Sequence, residues 1–187
     1  MTRRPVNLSL YLVTDTGLCG PRGVPATVQA AVAGGVTVVQ LRDPGATDAH
    51  FVALGVAVRE VLAGTGVPLI IDDRVHLVQD IGADGVHVGQ RDMPPAQARQ
   101  LLGPDAMVGL SVSTIEQVRT ARGLGDGVLD YLGVGPVWPT ATKPDHGTPI
   151  GPGGVAAVAA ASPWPVVAIG TWWTKRQRCS SCRLRWT

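Results

Sequence analysis

Seven short apolar runs alternate with six helical stretches, at near-regular spacing, from about Leu8 to Gly170. The runs are Leu8–Val13, Val36–Leu41, Pro68–Ile71, Gly85–Val88, Met107–Ser111, Tyr131–Val134 and Pro165–Ile169. The helical stretches are Val24–Ala33, Thr47–Ala63, Arg74–Ile81, Pro94–Leu102, Thr114–Gly123 and Gly153–Ala161. A strand that returns after each helix lies parallel to its predecessor, through a right-handed crossover. Runs of Val, Leu, Ile and Ala bounded by Gly or polar residues suit strands covered on both faces. Ser113 or Thr114 can cap the fifth helix with Glu116 or Gln117, and Pro94 and Pro95 fit the first turn of the fourth.

Two architectures share this rhythm, an open doubly wound sheet and a (β/α)8 barrel. No Gly-x-Gly-x-x-Gly opens a helix after the first strand, which weighs against a dinucleotide fold. Strand entries such as Gly34-Gly35-Val36 and Gly82-Ala83-Asp84-Gly85-Val86 suit a tightly packed barrel bottom. The sequence therefore predicts an α/β fold of the (β/α)8 TIM-barrel class, incomplete, with about seven strands present and the eighth strand and last helices missing. The expected division is a single barrel domain over 1–170 and a non-homologous basic tail over 171–187.

The 187 residues suffice for one sizeable core. No apolar run is long enough to span a bilayer, and Leu8–Val13 is too short for the core of a signal peptide, so a cytoplasmic protein is expected. The net charge of +2 is local in origin. Five basic residues, Lys175, Arg176, Arg178, Arg183 and Arg185, lie in the tail with no acid. The body then carries eleven basic against fourteen acidic residues, a poor match to nucleic acid. Cys179 and Cys182 form one Cys-x-x-Cys without the two further ligands that zinc requires. Cys19 reads as a lone loop cysteine.

In a barrel, chemistry collects at the C-terminal ends of the strands. Asp72, Asp73 and Asp92 converge from neighbouring strand ends. Mg2+ favours such carboxylates, taking one or two together with substrate phosphates; the alternative for Asp73 is a surface pair with Arg74. Gln40 and Arg42 share one face of their strand. An arginine there suits phosphate oxygens, against the plainer alternative of a pair with Asp43. Thr140, Thr142 and Lys143 offer two hydroxyls and a cation in a Gly/Pro-rich loop, either an anion cradle or a solvated loop. Ser111 closes the fifth strand. His87 points inward or outward by strand parity, as a packed histidine or a working one. His50, His76 and His146 read as surface residues.

Several blocks, taken in order, resemble the thiamine-phosphate synthase family. They are Val39-Gln40-Leu41-Arg42, Ile71-Asp72-Asp73-Arg74-Val75, Gly82 to Gln90, Gly109-Leu110-Ser111-Val112, Asp130 to Pro136, Thr140-Ala141-Thr142-Lys143 and Val167-Ala168-Ile169-Gly170. The resemblance spans roughly Leu8 to Gly170. It implies coupling of hydroxymethylpyrimidine diphosphate with thiazole phosphate, giving thiamine phosphate and diphosphate. In the family, loss of diphosphate leaves a pyrimidine carbocation that the thiazole nitrogen captures, so cations and Mg2+ at the leaving group carry the catalysis. Position by position, the resemblance implies Asp73 and Asp92 as Mg2+ ligands. It places Gln40, Arg42 and Asp72 on the pyrimidine diphosphate, with Ser111 and Lys143 also facing the diphosphate. Thr140 and Thr142 fall at the thiazole phosphate, and Gly170 joins the substrate-binding set. Arg42, Ser111 and Lys143 are the expected catalytic groups. The implied partners are these two small-molecule substrates, with no nucleic acid and no membrane, and a homo-oligomer is compatible with the sequence.

Three departures accompany the resemblance. Asp72 stands where the family often has Asn, which can also donate. Pro44 stands where the family often has Lys. After Gly170 the family continues into a seventh helix and an eighth strand, whereas this chain turns to Thr171-Trp172-Trp173. Reread one frame over with GC-rich codons, the tail spells an acid-started, Ala/Leu-rich helical sequence, which suggests a frameshift just after Gly170. Phosphate in barrels is held after strands seven and eight. The expectations for this chain are therefore little synthase activity and poor solubility, with irregular structure in the tail. A thiazole tautomerase-like relative and a non-catalytic barrel remnant are the alternative readings.

Overall fold

A computed structural model of the chain describes residues 6–139 and 148–170. Seven strands form one sheet: β1 Tyr11–Val13, β2 Val38–Leu41, β3 Leu69–Asp72, β4 Gly85–Val88, β5 Met107–Val112, β6 Tyr131–Val134 and β7 Val166–Ala168. Every neighbouring pair is parallel and the spatial order is the chain order. The sheet curls into a nearly closed barrel, with β1 and β7 as its two terminal strands among the described residues. The helices are α1 Thr16–Cys19, α2 Val24–Ala33, α3 Asp48–Leu62, α4 Val78–Ile81, α5 Pro95–Leu102, α6 Ile115–Arg122 and α7 Gly151–Ala161. None of them is long and apolar enough to cross a membrane.

Strand parity sorts the core into two layers. Val39, Leu41, Leu69, Ile71, Val86, Val88, Val108, Leu110, Val112, Leu132 and Val134 share one parity. They join the cluster built with Val28, Phe51, Val58, Leu62, Ile81, Ala98 and Val118 from the helices. The register places the other parity side by side across the strands: Gln40 opposite Ile70, Asp72 opposite His87, His87 opposite Gly109, Gly109 opposite Tyr131 and Ser111 opposite Gly133. Side chains alternate faces along a strand, so this second set lines the barrel interior. Burial of the outer set beneath α2 to α7 contributes about 1.5–3 kcal/mol per large aliphatic side chain.

Two expectations are corrected here. Cys19 is not in a loop but ends α1, which Asp15 caps by accepting from the Leu18 amide at 2.9 Å. The helix expected over Arg74–Ile81 begins instead as a 3-10 turn at Val75–Leu77, then continues as α4. The physical reason is local. Asp73 adopts φ of 59°, and the Arg74 amide bonds back to the Asp72 carbonyl at 2.7 Å, a tight turn that delays α-helical geometry. Of the caps open to α6, Thr114 accepts from the Gln117 amide at 3.2 Å, and Gln117 completes a capping box.

The aspartates that precede two strands serve the barrel bottom. Asp84 accepts from the Leu69 amide at 2.8 Å and Asp130 from the Val108 amide at 2.7 Å, each tying its strand to the preceding one. Asp130 also holds Arg99 at 2.6 Å, and Arg99 reaches the carbonyls of Val128, Gly103 and Ala106. Asp130→Ala strands a half-buried arginine and a backbone amide together. It should lower the unfolding free energy by about 2–3 kcal/mol, and Asp84→Ala by about 1 kcal/mol. Urea denaturation of the two variants checks both the size and the order.

Candidate active site

The strand ends bring the predicted residues together in two groups. In the first, Asp72 takes a hydrogen bond from Gln40 Nε2 at 3.1 Å and an ion pair from Arg42 Nε at 3.3 Å. Gln40 is 4% exposed, and the Arg42 and Asp72 side chains are 13% and 11% exposed. A carboxylate suits this position because it offers two acceptor oxygens to two donors, whereas an asparagine has one carbonyl oxygen. At this arginine the alternative open in the sequence was Asp43; Arg42 pairs with Asp72, while Asp43 accepts from Thr16 Oγ1 at 2.8 Å. Thr14, absent from the sequence-based set, is 2% exposed and accepts from the Arg42 amide at 3.0 Å, fixing the end of β2.

Arg74 anchors the adjoining loop. It pairs with Asp48 at 2.7 Å, reaches the carbonyls of Asp43 and Ala46, and lies over the Phe51 ring at 4.6 Å. His76, read from sequence as a plain surface residue, is exposed but pairs with Asp48 at 3.0 Å. Hydrogen bonding from His76 holds the Asp48 carboxyl below its usual range. A cavity of about 190 Å³ opens between this anchor and the strand end, lined by Asp43, Pro44, Phe51, Asp72, Asp73 and Arg74. Asp73 borders it in the left-handed region, which an aspartate tolerates better than most residues. Asp92, past the end of β4, is exposed and accepts from the Gly89 amide at 2.7 Å. The described residues contain no group of three or more His, Cys, Asp or Glu arranged to hold a metal by themselves.

The second group is interior. His87 points inward, 5% exposed, and its two ring nitrogens meet Tyr131 Oη at 3.1 Å and Ser111 Oγ at 2.8 Å. Tyr131 Oη meets Tyr11 Oη at 2.8 Å. Gln90 donates to the Ser111 carbonyl at 2.6 Å, steadying the end of β5. The two tyrosines went unnoticed in the sequence. Counting parity back by two from Ser111 and Gln40 reaches the inward row they occupy. Gly170 follows β7 beside Val137 and Trp138. Thr140, Thr142, Lys143, His146 and the 171–187 tail lie outside the described residues.

Burial raises both phenols well above their ordinary pKa of 10.0. A raised pKa in the folded chain stabilises it below pH 10, and this contribution is lost as pH rises through the folded-state pKa values. These are the only two tyrosines in the chain. Phenolate absorbance should therefore stay absent above pH 10 until the fold itself is lost, then appear together with loss of circular dichroism.

The described fold and site have close relatives. A family model described as thiamine monophosphate synthase matches residues 10–177. A thiamine-phosphate synthase of Psychrobacter sp. is 47% identical over 163 residues, covering 87% of this chain and 76% of the relative. Another, of Xanthobacter autotrophicus, is 50% identical over 167 residues, covering 89% and 78%. The solved structure of thiamine phosphate pyrophosphorylase from Pyrococcus furiosus superposes with a TM-score of 0.74 at 32% identity, covering 87% of this chain and 75% of that one. The chain belongs to the thiamine monophosphate synthase family, transferases of thiamine biosynthesis, and has that family's barrel fold.

Proposed function

We propose that this family member is a cytoplasmic enzyme that binds hydroxymethylpyrimidine diphosphate at the barrel mouth and joins it to thiazole phosphate, releasing diphosphate. The observation that carries the reading is the Gln40–Asp72–Arg42 cluster beside the Asp73-lined cavity, at the strand ends where barrels work. Arg42 is held by Asp72 through Nε, which orients its guanidinium before any ligand arrives. Gln40 is fixed by the same carboxylate and sits where it can read a polar edge of the pyrimidine. Ser111, at the end of β5, faces the diphosphate, with Lys143 as a further cation for it. Thr140 and Thr142 take the thiazole phosphate, and Gly170 lets substrate approach the end of β7.

Asp73 and Asp92 are the proposed Mg2+ ligands. The donor set fits that ion: carboxylate oxygens from two strand ends, too few for an all-protein cage, match a cation that completes its shell with water and substrate phosphate oxygens. When bound, Mg2+ would neutralise charge developing on the departing diphosphate. No residue here needs to act as nucleophile or general base, because the bond breaks by departure of an anion that the surrounding donors stabilise.

Binding and turnover test this separately. Arg42→Ala should weaken binding of the pyrimidine diphosphate about tenfold or more, read by calorimetry. Asp92→Ala should abolish Mg2+-dependent formation of thiamine phosphate. Unchanged binding in the first variant, or full turnover in the second, would remove these residues from their roles. Turnover on the scale of the relatives would overturn the expectation of low activity attached to the tail; turnover that is nearly absent despite tight substrate binding would support it.

A further inference from the structure

Beneath Ser111 runs a line of polar groups to which no substrate contact has been given. Tyr11 Oη, Tyr131 Oη, the His87 imidazole and Ser111 Oγ are joined by three hydrogen bonds of 2.8, 3.1 and 2.8 Å, crossing β1, β6, β4 and β5. Tyr11 and Tyr131 open their strands at the closed end, and Ser111 lies near the end of its strand, toward the mouth. The space is built for this line. A Cβ on Gly109 would overlap the Tyr131 ring and lie 2.5 Å from His87 Nδ1, and one on Gly133 would lie 2.7 Å from His87 Cε1. Both positions face inward on β5 and β6, so two missing side chains create the slot that the imidazole and phenol fill.

Such a line has two self-consistent proton orders. In one, every proton points toward the mouth: Tyr11 donates to Tyr131, Tyr131 to Nδ1, and Nε2–H to Ser111 Oγ. The serine proton is then left to point out of the line. In the reverse order Ser111 donates inward, and the Tyr11 proton must find an acceptor at the closed end. The Tyr11 hydroxyl has Tyr131 as its partner among the described residues, and that oxygen would already be donating to it. Tyr11 is half-buried, and only the outward order gives each proton below Ser111 an acceptor among the described residues, so the outward order is favoured. Both phenols are held neutral by burial, which keeps the line's protons in place.

We propose that His87 is a positioning residue, locked as its Nε2–H tautomer by Tyr131 and Tyr11, and that it commits the Ser111 hydroxyl to donating toward the substrate's diphosphate. With its oxygen already accepting from the imidazole, the serine hydroxyl presents its proton to the site rather than a lone pair, which suits an anion. The second half of this inference rests on the reading that Ser111 faces the diphosphate; the tautomer lock stands on geometry alone.

The test uses the full chain with heavy-nitrogen-labelled histidine, His87→Gln serving to assign the signal by its loss. The expected spectrum shows a protonated Nε2 and a bare Nδ1. In Tyr131→Phe, or in the milder Tyr11→Phe should the first fail to fold, that tautomer should become mixed. Affinity for inorganic diphosphate with Mg2+ should fall about tenfold in Tyr131→Phe. Ser111→Ala should keep the tautomer, because the lock lies on the tyrosine side, and lose the diphosphate affinity. A wild-type His87 protonated at Nδ1 would overturn the lock, as would a tautomer unmoved in both tyrosine variants. A Ser111→Ala chain that binds diphosphate like wild type would overturn the donor role and the site reading with it, while the tautomer signal still reports on the lock.

Discussion

A sheet of parallel strands curled toward a barrel and covered by helices leaves its inward polar groups little water, so each finds its partner on another strand. That constraint organises this molecule. Tyr11, Gln40, Asp72, His87, Ser111 and Tyr131 all lie on the inward parity, and each has a partner on a different strand. No buried side-chain nitrogen or oxygen among the described residues lacks a hydrogen bond. Polar satisfaction of this completeness fixes a unique register, because slipping any strand by one residue would exchange its inward polar set for the Val/Leu/Ile set of the outer core.

The same constraint grades the interior from bottom to mouth. At the closed end, on the outer parity, aspartates 84 and 130 accept backbone amides of neighbouring strands and act as structural clamps. In the middle, His87 and the tyrosines occupy a slot left by Gly109 and Gly133. At the mouth the charged groups Arg42 and Asp72 are mostly buried against each other, with Asp73 turned by its left-handed backbone beside the cavity. Inside the barrel, the charged pair of Arg42 and Asp72 lies at the strand ends, and the uncharged tyrosines lie at the strand starts.

Much of this was legible in the chain. The strand of Gly85–Val88, the strand of Tyr131–Val134 and the helix of Val24–Ala33 lie where the apolar runs put them, since long-range parallel pairing requires short uninterrupted apolar segments. Asp72, Arg42, Gln40 and Ser111 stand out in the sequence because barrel chemistry occupies strand ends, and the fold sets them at or near those ends. Cys19 and the start of the third helical stretch were misread, each through a local turn with its own hydrogen bonds. The two tyrosines were missed because they open their strands, far in sequence from any motif, and become site-related only through His87.

The sequence by itself determined the fold class, the family and the list of polar residues at the strand ends, because apolar periodicity and ordered motifs are local properties of the chain. Only the tertiary structure decided that Arg42 pairs with Asp72, that His87 faces inward, and that its two nitrogens join Tyr131 to Ser111. Those partners stand 30, 44 and 24 residues apart in the chain. Strand parity says which side chains share a face, but which face looks inward, and who meets whom across it, is set only when the curved sheet brings distant strands into register.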